Sequence, residues 1–276
     1  MIYQMSSLEQ FTDDRLAHGR SYFTREEALA SLALKPQALA ASITRMIKKH
    51  KLANPRHGFY LILRPEDQIS GAPDPIRWID ALMKYQGLDY RVALLRAAAF
   101  HGSSHQASMV FQVIVSSQLR DFEMGRHRLQ FIYQAPKAFE LANQAYALDQ
   151  IKSDTGFANV AGVELTLLDC ARYFHQAGGI NGVAQIAKDI GAKADPRLLA
   201  KLAPLYENST VRRLGYLLDT VGNTRLANAL EPFVKKTKTM VPLDPAIKPL
   251  IASLGELGEK NTKWKLIINE NIEVDF

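Results

Sequence analysis

From Pro36 to Lys51 apolar side chains recur on one side of a helix. Leu39, Ile43, Met46, Ile47 and His50 fall at i, i+4, i+7, i+8 and i+11. The other side carries Gln37, Ala41, Thr44, Arg45 and Lys48. Pro36 stands at the first helical turn, where a missing amide donor costs nothing. Upstream, Thr24 followed three residues later by Glu27 forms a capping box, so a preceding helix is expected to start there. Residues 7–18 predict a short helix with Leu8, Phe11 and Leu16 inward, stopped by Gly19. Downstream, Asn54-Pro55-Arg56-His57-Gly58 reads as a turn into the β-prone run Phe59 to Leu63. Helices and a hairpin in this order predict a winged helix-turn-helix, whose second helix in the pair is the one built to enter a major groove.

The pattern breaks from Arg64 to Pro73, a Pro-, Gly- and polar-rich stretch that reads as a hinge. The boundary is set there, giving residues 1–70 as the winged helix and 71–276 as a larger mixed domain. Asp74-Pro75 caps a helix through Trp78, Ile79, Leu82 and Met83 to Gly87, and another is expected from about Tyr90 to Phe100. Val110–Val115 is too apolar to alternate and predicts a central strand, with Arg128–Tyr133 its partner. A helix is expected from Val160 to Ala177, stopped by Gly178-Gly179. Further helices follow from Ile180 to Ile190, after Asp195-Pro196, near Ser209, and from Asn223 to about Val234. Lys263–Ile268 alternates like a half-exposed strand. The fold class is α+β: the winged helix, then a small sheet covered by several helices.

Charge sharpens this picture. The chain of 276 residues carries 34 Lys and Arg against 28 Asp and Glu, a net +6. Through Arg64 there are ten basic and five acidic residues, so the remainder holds only +1 of the excess. Seven basic residues and no acid lie between Lys35 and Arg64. The positive charge thus gathers on the second helix and the wing, where phosphates would be met. Candidate DNA contacts are Gln37, Thr44, Arg45 and Lys48 toward bases, with Lys35, Lys49, Arg56 and His57 at the flank and wing. The plain alternative is a solvated basic face on a protein-binding module.

The remaining chemistry is sparse. No phosphate loop, nucleophile elbow, zincin or paired-cysteine motif occurs. One cysteine, Cys170, excludes an internal disulfide, suits a reducing cytosol, and reads as a small core residue inside an apolar pattern. His101 and His105 are four apart, but Gly102-Ser103-Ser104 breaks the helix that would align them, so no metal is expected. Asp149, Asp154, Glu164 and Asp169 fit no hydrolase spacing and read as solvated or capping groups. Gly125-Arg126-His127-Arg128 is a second basic stretch, at a strand turn. The first nineteen residues carry acids and no apolar core, so no secretory signal is expected. Nothing is long and apolar enough to span a membrane. No cofactor is expected.

Past residue 73 a family likeness emerges. Trp78–Met83, Tyr90–Gly102, Gln106-Ala107 leading into Val110–Val113, Glu164–Asp169, Gly178-Gly179, Arg212–Leu218 and Lys263–Leu266 resemble, in this order, blocks of the antitoxins of AbiE-type toxin–antitoxin systems. Those proteins also carry an N-terminal winged helix. The resemblance implies a bacterial, cytosolic, non-enzymatic antitoxin that represses its own operon through inverted repeats in operator DNA. It also implies a cognate nucleotidyltransferase toxin, counteracted without the tight masking complex usual in other systems. The competing readings are a stand-alone, ligand-responsive winged-helix regulator and an enzyme with the winged helix as an appendage.

Overall fold

The computed structural model of the chain describes residues 7–103, 110–154, 156–247 and 259–273. Helix α1 spans Leu8–Ala17, and strand β1 spans Tyr22–Thr24. Helices α2 (Arg25–Ser31) and α3 (Pro36–Lys48) follow, then the hairpin β2 (Leu52–Arg56) and β3 (Phe59–Ile62). Next come α4 (Pro65–Gln68), α5 (Ile79–Tyr85), β4 (Tyr90–Val92) and α6 (Leu94–His101). Strands β5 (Val110–Val115), β6 (Phe122–Met124) and β7 (His127–Tyr133) precede α7 (Pro136–Ala142). The chain continues with β8 (Leu148–Ser153), β9 (Gly156–Ala161), α8 (Val163–Arg172), α9 (Gly179–Ile190) and α10 (Pro196–Leu202). It ends with α11 (Asn208–Thr220), α12 (Thr224–Leu230) and the short strands β10 (Val241–Pro242), β11 (Glu259–Asn261) and β12 (Leu266–Ile268). The class is α+β, as the sequence predicts.

The chain divides into two compact units. The first takes the described parts of Met1–Arg91, Met109–Gln134 and Gln150–Asn159; the second takes those of Val92–Ser108, Ala135–Asp149 and Val160–Phe276. These units interleave along the chain and do not follow a single cut.

In the first unit, β1, β3 and β2 form an antiparallel sheet in that order. It closes over a core of Leu8, Phe11, Phe23, Ala28, Leu32, Leu39, Ile43, Met46, Leu52, Tyr60 and Ile62. Phe11 meets Phe23 edge-on at 5.4 Å between centroids, and Phe23 stacks on Tyr60 at 5.2 Å. The capping box forms as expected: the Thr24 amide donates to Glu27 Oε2 at 2.8 Å and the Glu27 amide to Thr24 Oγ1 at 3.2 Å. Arg15 reaches the same carboxylate at 2.7 Å, tying α1 to the start of α2. This unit also holds β5, β6 and β7 of a six-stranded sheet ordered β6-β7-β5-β4-β9-β8, with β5 parallel to β7 and β6 antiparallel to it.

Several expectations need correction. Tyr90–Val92 is a strand, and the helix begins at Leu94, which takes a left-handed φ of 52°. Tyr90 through Leu94 are all buried, so no polar face marks where strand gives way to helix. The helix expected from Val160 to Ala177 covers only Val163–Arg172, because Gly156–Ala161 is strand β9. Lys263–Lys265 is turn, with strand from Leu266. Ile47 and His50, expected inward, are exposed.

The stretch read as a hinge is pinned. Arg77 forms a two-pronged pair with Asp154 at 3.0 Å on each side and reaches Asp67 of α4 at 3.1 Å. Ser70 Oγ donates to the carbonyls of Asp67 and Ala72, and the Arg126 amide donates to Ser70 at 2.9 Å. Gly125 lies so close that a Cβ there would stand 2.0 Å from the Ser70 oxygen. Burial alone would raise the Asp154 carboxyl, but Arg77, Ser21 and Arg64 hold it below the ordinary value.

The second unit is mostly helical. Eight of ten positions in α8 are buried, so this helix is central, packed by α6, α9, α10 and α11. Strands β10, β12 and β11 form its small sheet. Cys170 is fully buried there, and burial pushes its thiol well up.

Candidate nucleic-acid interface

Helix α3 buries Leu39, Ile43 and Met46 and turns its other sides to solvent. Gln37, Thr44, Arg45, Lys48 and Lys49 are all exposed, as is Lys35 just before the helix. The spacing read from the sequence therefore places the base-reading candidates together on one open face. Arg45 donates to Ser42 Oγ at 3.0 Å, and the Thr44 hydroxyl donates back to the Ala40 carbonyl at 3.0 Å. Lys48 and Arg45 occupy the last turn of α3, where cations also suit the helix dipole.

Basic side chains crowd the start of α1. Ser7, Leu8, Glu9, Ser42, Arg45, Met46 and Lys49 line an open cleft of about 200 Å³. Lys51 Nζ donates to Glu9 Oε1 at 3.0 Å, and Lys51, then Lys49 and Arg45, hold the Glu9 carboxyl below its ordinary value. Among the described residues lining this cleft the one carboxylate, Glu9, is thus already matched by Lys51, beside the cations Arg45 and Lys49.

The β2–β3 turn, where the sequence predicts a wing, is tightly built. Asn54 Nδ2 donates to the carbonyls of Arg56 and Phe59 at 2.7 and 2.8 Å, closing the turn. Gly58 takes φ 82°, and a Cβ there would come 2.4 Å from the Tyr85 hydroxyl, so only glycine fits. That hydroxyl donates to the His57 carbonyl at 3.1 Å, while the His57 side chain is exposed. Arg56 departs from expectation. Its guanidinium lies 4.1 Å over the Phe122 ring and 5.7 Å from Phe131, and it donates to the Arg120 carbonyl at 2.5 Å. Burial lowers its pKa, opposed by Asp121. Arg56 fastens β2 to β6 and β7 instead of pointing free from the β2–β3 turn. The sequence held no sign of this, since its partners lie more than sixty residues away.

The other flagged groups find structural partners. Glu164 Oε1 accepts the Asp195 amide at 2.6 Å, and Asp169 Oδ1 accepts the Tyr206 hydroxyl at 2.7 Å. His101 Nε2 lies 2.7 Å from the Ala161 carbonyl. His105, Ser104, Gln106 and Ala107 lie outside the described residues. Among the described residues no group of three or more His, Cys, Asp or Glu could hold a metal ion, and no helix is long and apolar enough to cross a membrane.

In the second unit two of the blocks quoted for the family likeness meet. A Cβ on Gly215 of α11 would fall 2.1 Å from the Trp264 ring, whose Nε1 donates to Asp219 of the same helix at 2.7 Å. Arg213, in the same block, donates to the Leu243 and Ala171 carbonyls at 3.0 Å each and sits 4.3 Å over Phe174.

Residues 91–220 match the family model of the AbiEi antitoxin C-terminal domain, which supports an antitoxin of the AbiEi type. The match runs from Arg91 in β4 through α11 and takes in the quoted blocks from Arg91 to Leu218, leaving Trp78–Met83 and Lys263–Leu266 outside it. The match supports an antitoxin role within a toxin–antitoxin system. Among solved structures, the chain is similar in fold to the RV2827C protein from Mycobacterium tuberculosis. The TM-score is 0.63 at 15% identity, covering 96% of this chain and 92% of that one. No curated protein matches the chain.

Proposed function

We propose that this protein is an antitoxin that also represses its own promoter, binding operator DNA through α3 and the wing and counteracting a nucleotidyltransferase toxin. The observation that carries the DNA half is the open face of α3, where Gln37, Thr44, Arg45 and Lys48 are exposed together over a packed apolar side. The element order α1-β1-α2-α3-β2-β3 with sheet order β1-β3-β2 supports a winged helix-turn-helix. Arg45 is the base reader, since guanidinium can bridge two acceptors of guanine, and Lys35, Lys48 and Lys49 meet phosphates. His57 is the exposed group of the wing. By the family resemblance, the operator carries inverted repeats.

The antitoxin half rests on the domain at residues 91–220. The labour is divided functionally at about residue 70: 1–70, with its acid-free basic run from Lys35 to Arg64, carries the base-reading helix, and 71–276 controls the toxin in the cytoplasm. The test uses the full chain in two assays side by side. One is a reporter driven by the promoter upstream of its gene; the other is survival of cells expressing the neighbouring nucleotidyltransferase. Replacing Arg45 and Lys48 together with alanine should release the reporter while leaving survival intact. Loss of survival with unchanged repression would reverse the assignment.

A further inference from the structure

The wing hands one of its charges away. Arg56 stands where a winged helix would be expected to place a phosphate contact, yet its guanidinium is held over Phe122 and by the Arg120 carbonyl. That same bond brings the β5–β6 loop against the wing, and β2 packs on β6 beside it. The loop is fixed from the other side as well. Asp121 Oδ1 accepts the Phe131 amide at 2.9 Å, so the backbone at 120–121 is clamped between wing and strand β7. The Arg120 side chain is exposed.

The neighbouring cations are less suited to the task. Arg128 lies 3.9 Å from Asp121 and opposite Glu123 in the β6–β7 register, so acids oppose its charge. Arg126 sits at the far end of the hairpin, with its amide on Ser70. We propose that the DNA surface continues from the wing on to the β5–β6 loop, where Arg120 makes the phosphate contact and Arg56 serves as its positioning residue. The partner is the duplex already proposed for α3, so this inference rests on that reading.

The experiment measures affinity of the full chain for its promoter duplex and for a scrambled duplex by fluorescence anisotropy across salt. One phosphate contact contributes a slope of about 0.9 in log affinity against log salt. Between about 50 and 200 mM salt the wild type should therefore lose about 3.5-fold more affinity than Arg120→Ala, on both duplexes alike. Arg120→Lys should keep the wild-type slope. Arg56→Ala should lower the slope by the same single ion, and the double variant no further, because the second residue acts through the first. Lys137→Ala, which removes an exposed charge on α7, should leave the slope unchanged. Should Arg56→Ala prove unfolded, the two Arg120 variants decide alone. A wild-type slope in Arg120→Ala, or additive losses in the double variant, overturns the inference. A wild-type chain that binds no duplex defeats the DNA reading itself, whereas binding that needs Lys49 but ignores Arg120 defeats only this extension.

Discussion

Gly215→Ala puts one methyl group where the Trp264 ring already is. The added carbon would stand 2.1, 2.3 and 2.5 Å from three ring atoms, more than 1 Å inside ordinary contact. Helix propensity alone would favour alanine by about 1 kcal/mol. The ring is fully buried and its Nε1 is bonded to Asp219, so it cannot slide without breaking that bond. Overpacking of a tight core costs about 1–3 kcal/mol, and an orphaned buried donor about the same again. Set against the propensity gain, the net loss is about 3 kcal/mol. For a chain of this size that corresponds to a fall in Tm of about 6–12 °C. Thermal unfolding followed by tryptophan fluorescence measures it. The same substitution in a Trp264→Leu background should cost far less, since the clashing atoms are gone. A Gly215→Ala protein with unchanged Tm, or an equal penalty in both backgrounds, would refute the packing argument.

Two further outcomes are expected. Glu27 is held below its ordinary value of 4.5: burial works to raise it, and the Arg15 guanidinium and Thr24 amide outweigh that. A depressed carboxyl stabilises the fold above its unfolded value and loses that contribution as pH falls through the lower folded one. Glu27→Gln keeps the cap but not the charge, so it should cost about 1 kcal/mol at neutral pH. The gap should close as pH drops below about 4, visible in denaturant titrations at several pH values, and a gap that widens in acid would contradict the sign. Lys35→Ala and Lys49→Ala should each reduce the salt slope of duplex binding by about one ion and weaken all sequences alike. A change in sequence preference from either would move that lysine to the base-reading set.

What was legible in the chain follows from where each signal lives. Helix α3 and the β2–β3 hairpin were readable because their determinants are local: a capping box at Thr24 and Glu27, Pro36 at N1, a turn closed by Gly58. Strand β4 was not, since Tyr90–Leu94 is buried on every side and offers neither period to the eye. Strand β8 was missed for the opposite reason: Asp149, Gln150 and Lys152 are exposed, so no apolar alternation marks it. The role of Arg56 depends on Phe122 and Arg120, and the pinning of residues 64–77 depends on Asp154. Such long-range pairings leave no trace in spacing. Its place at the turn put Arg56 among the phosphate contacts, whereas its guanidinium lies over Phe122 and on the Arg120 carbonyl as a fastener.

The account turns on whether α3 reads DNA, and Arg45 is its sharpest point. Affinity of the full-length protein for promoter DNA and for a scrambled duplex, wild type beside Arg45→Ala at fixed salt, tests it most directly. A lost guanidinium–guanine contact removes about 1–3 kcal/mol of discrimination, a fall of about 5- to 150-fold in the preference ratio. The account predicts that the preference collapses by that amount while binding to scrambled DNA falls only slightly. An Arg45→Ala protein that keeps the full wild-type preference would contradict it.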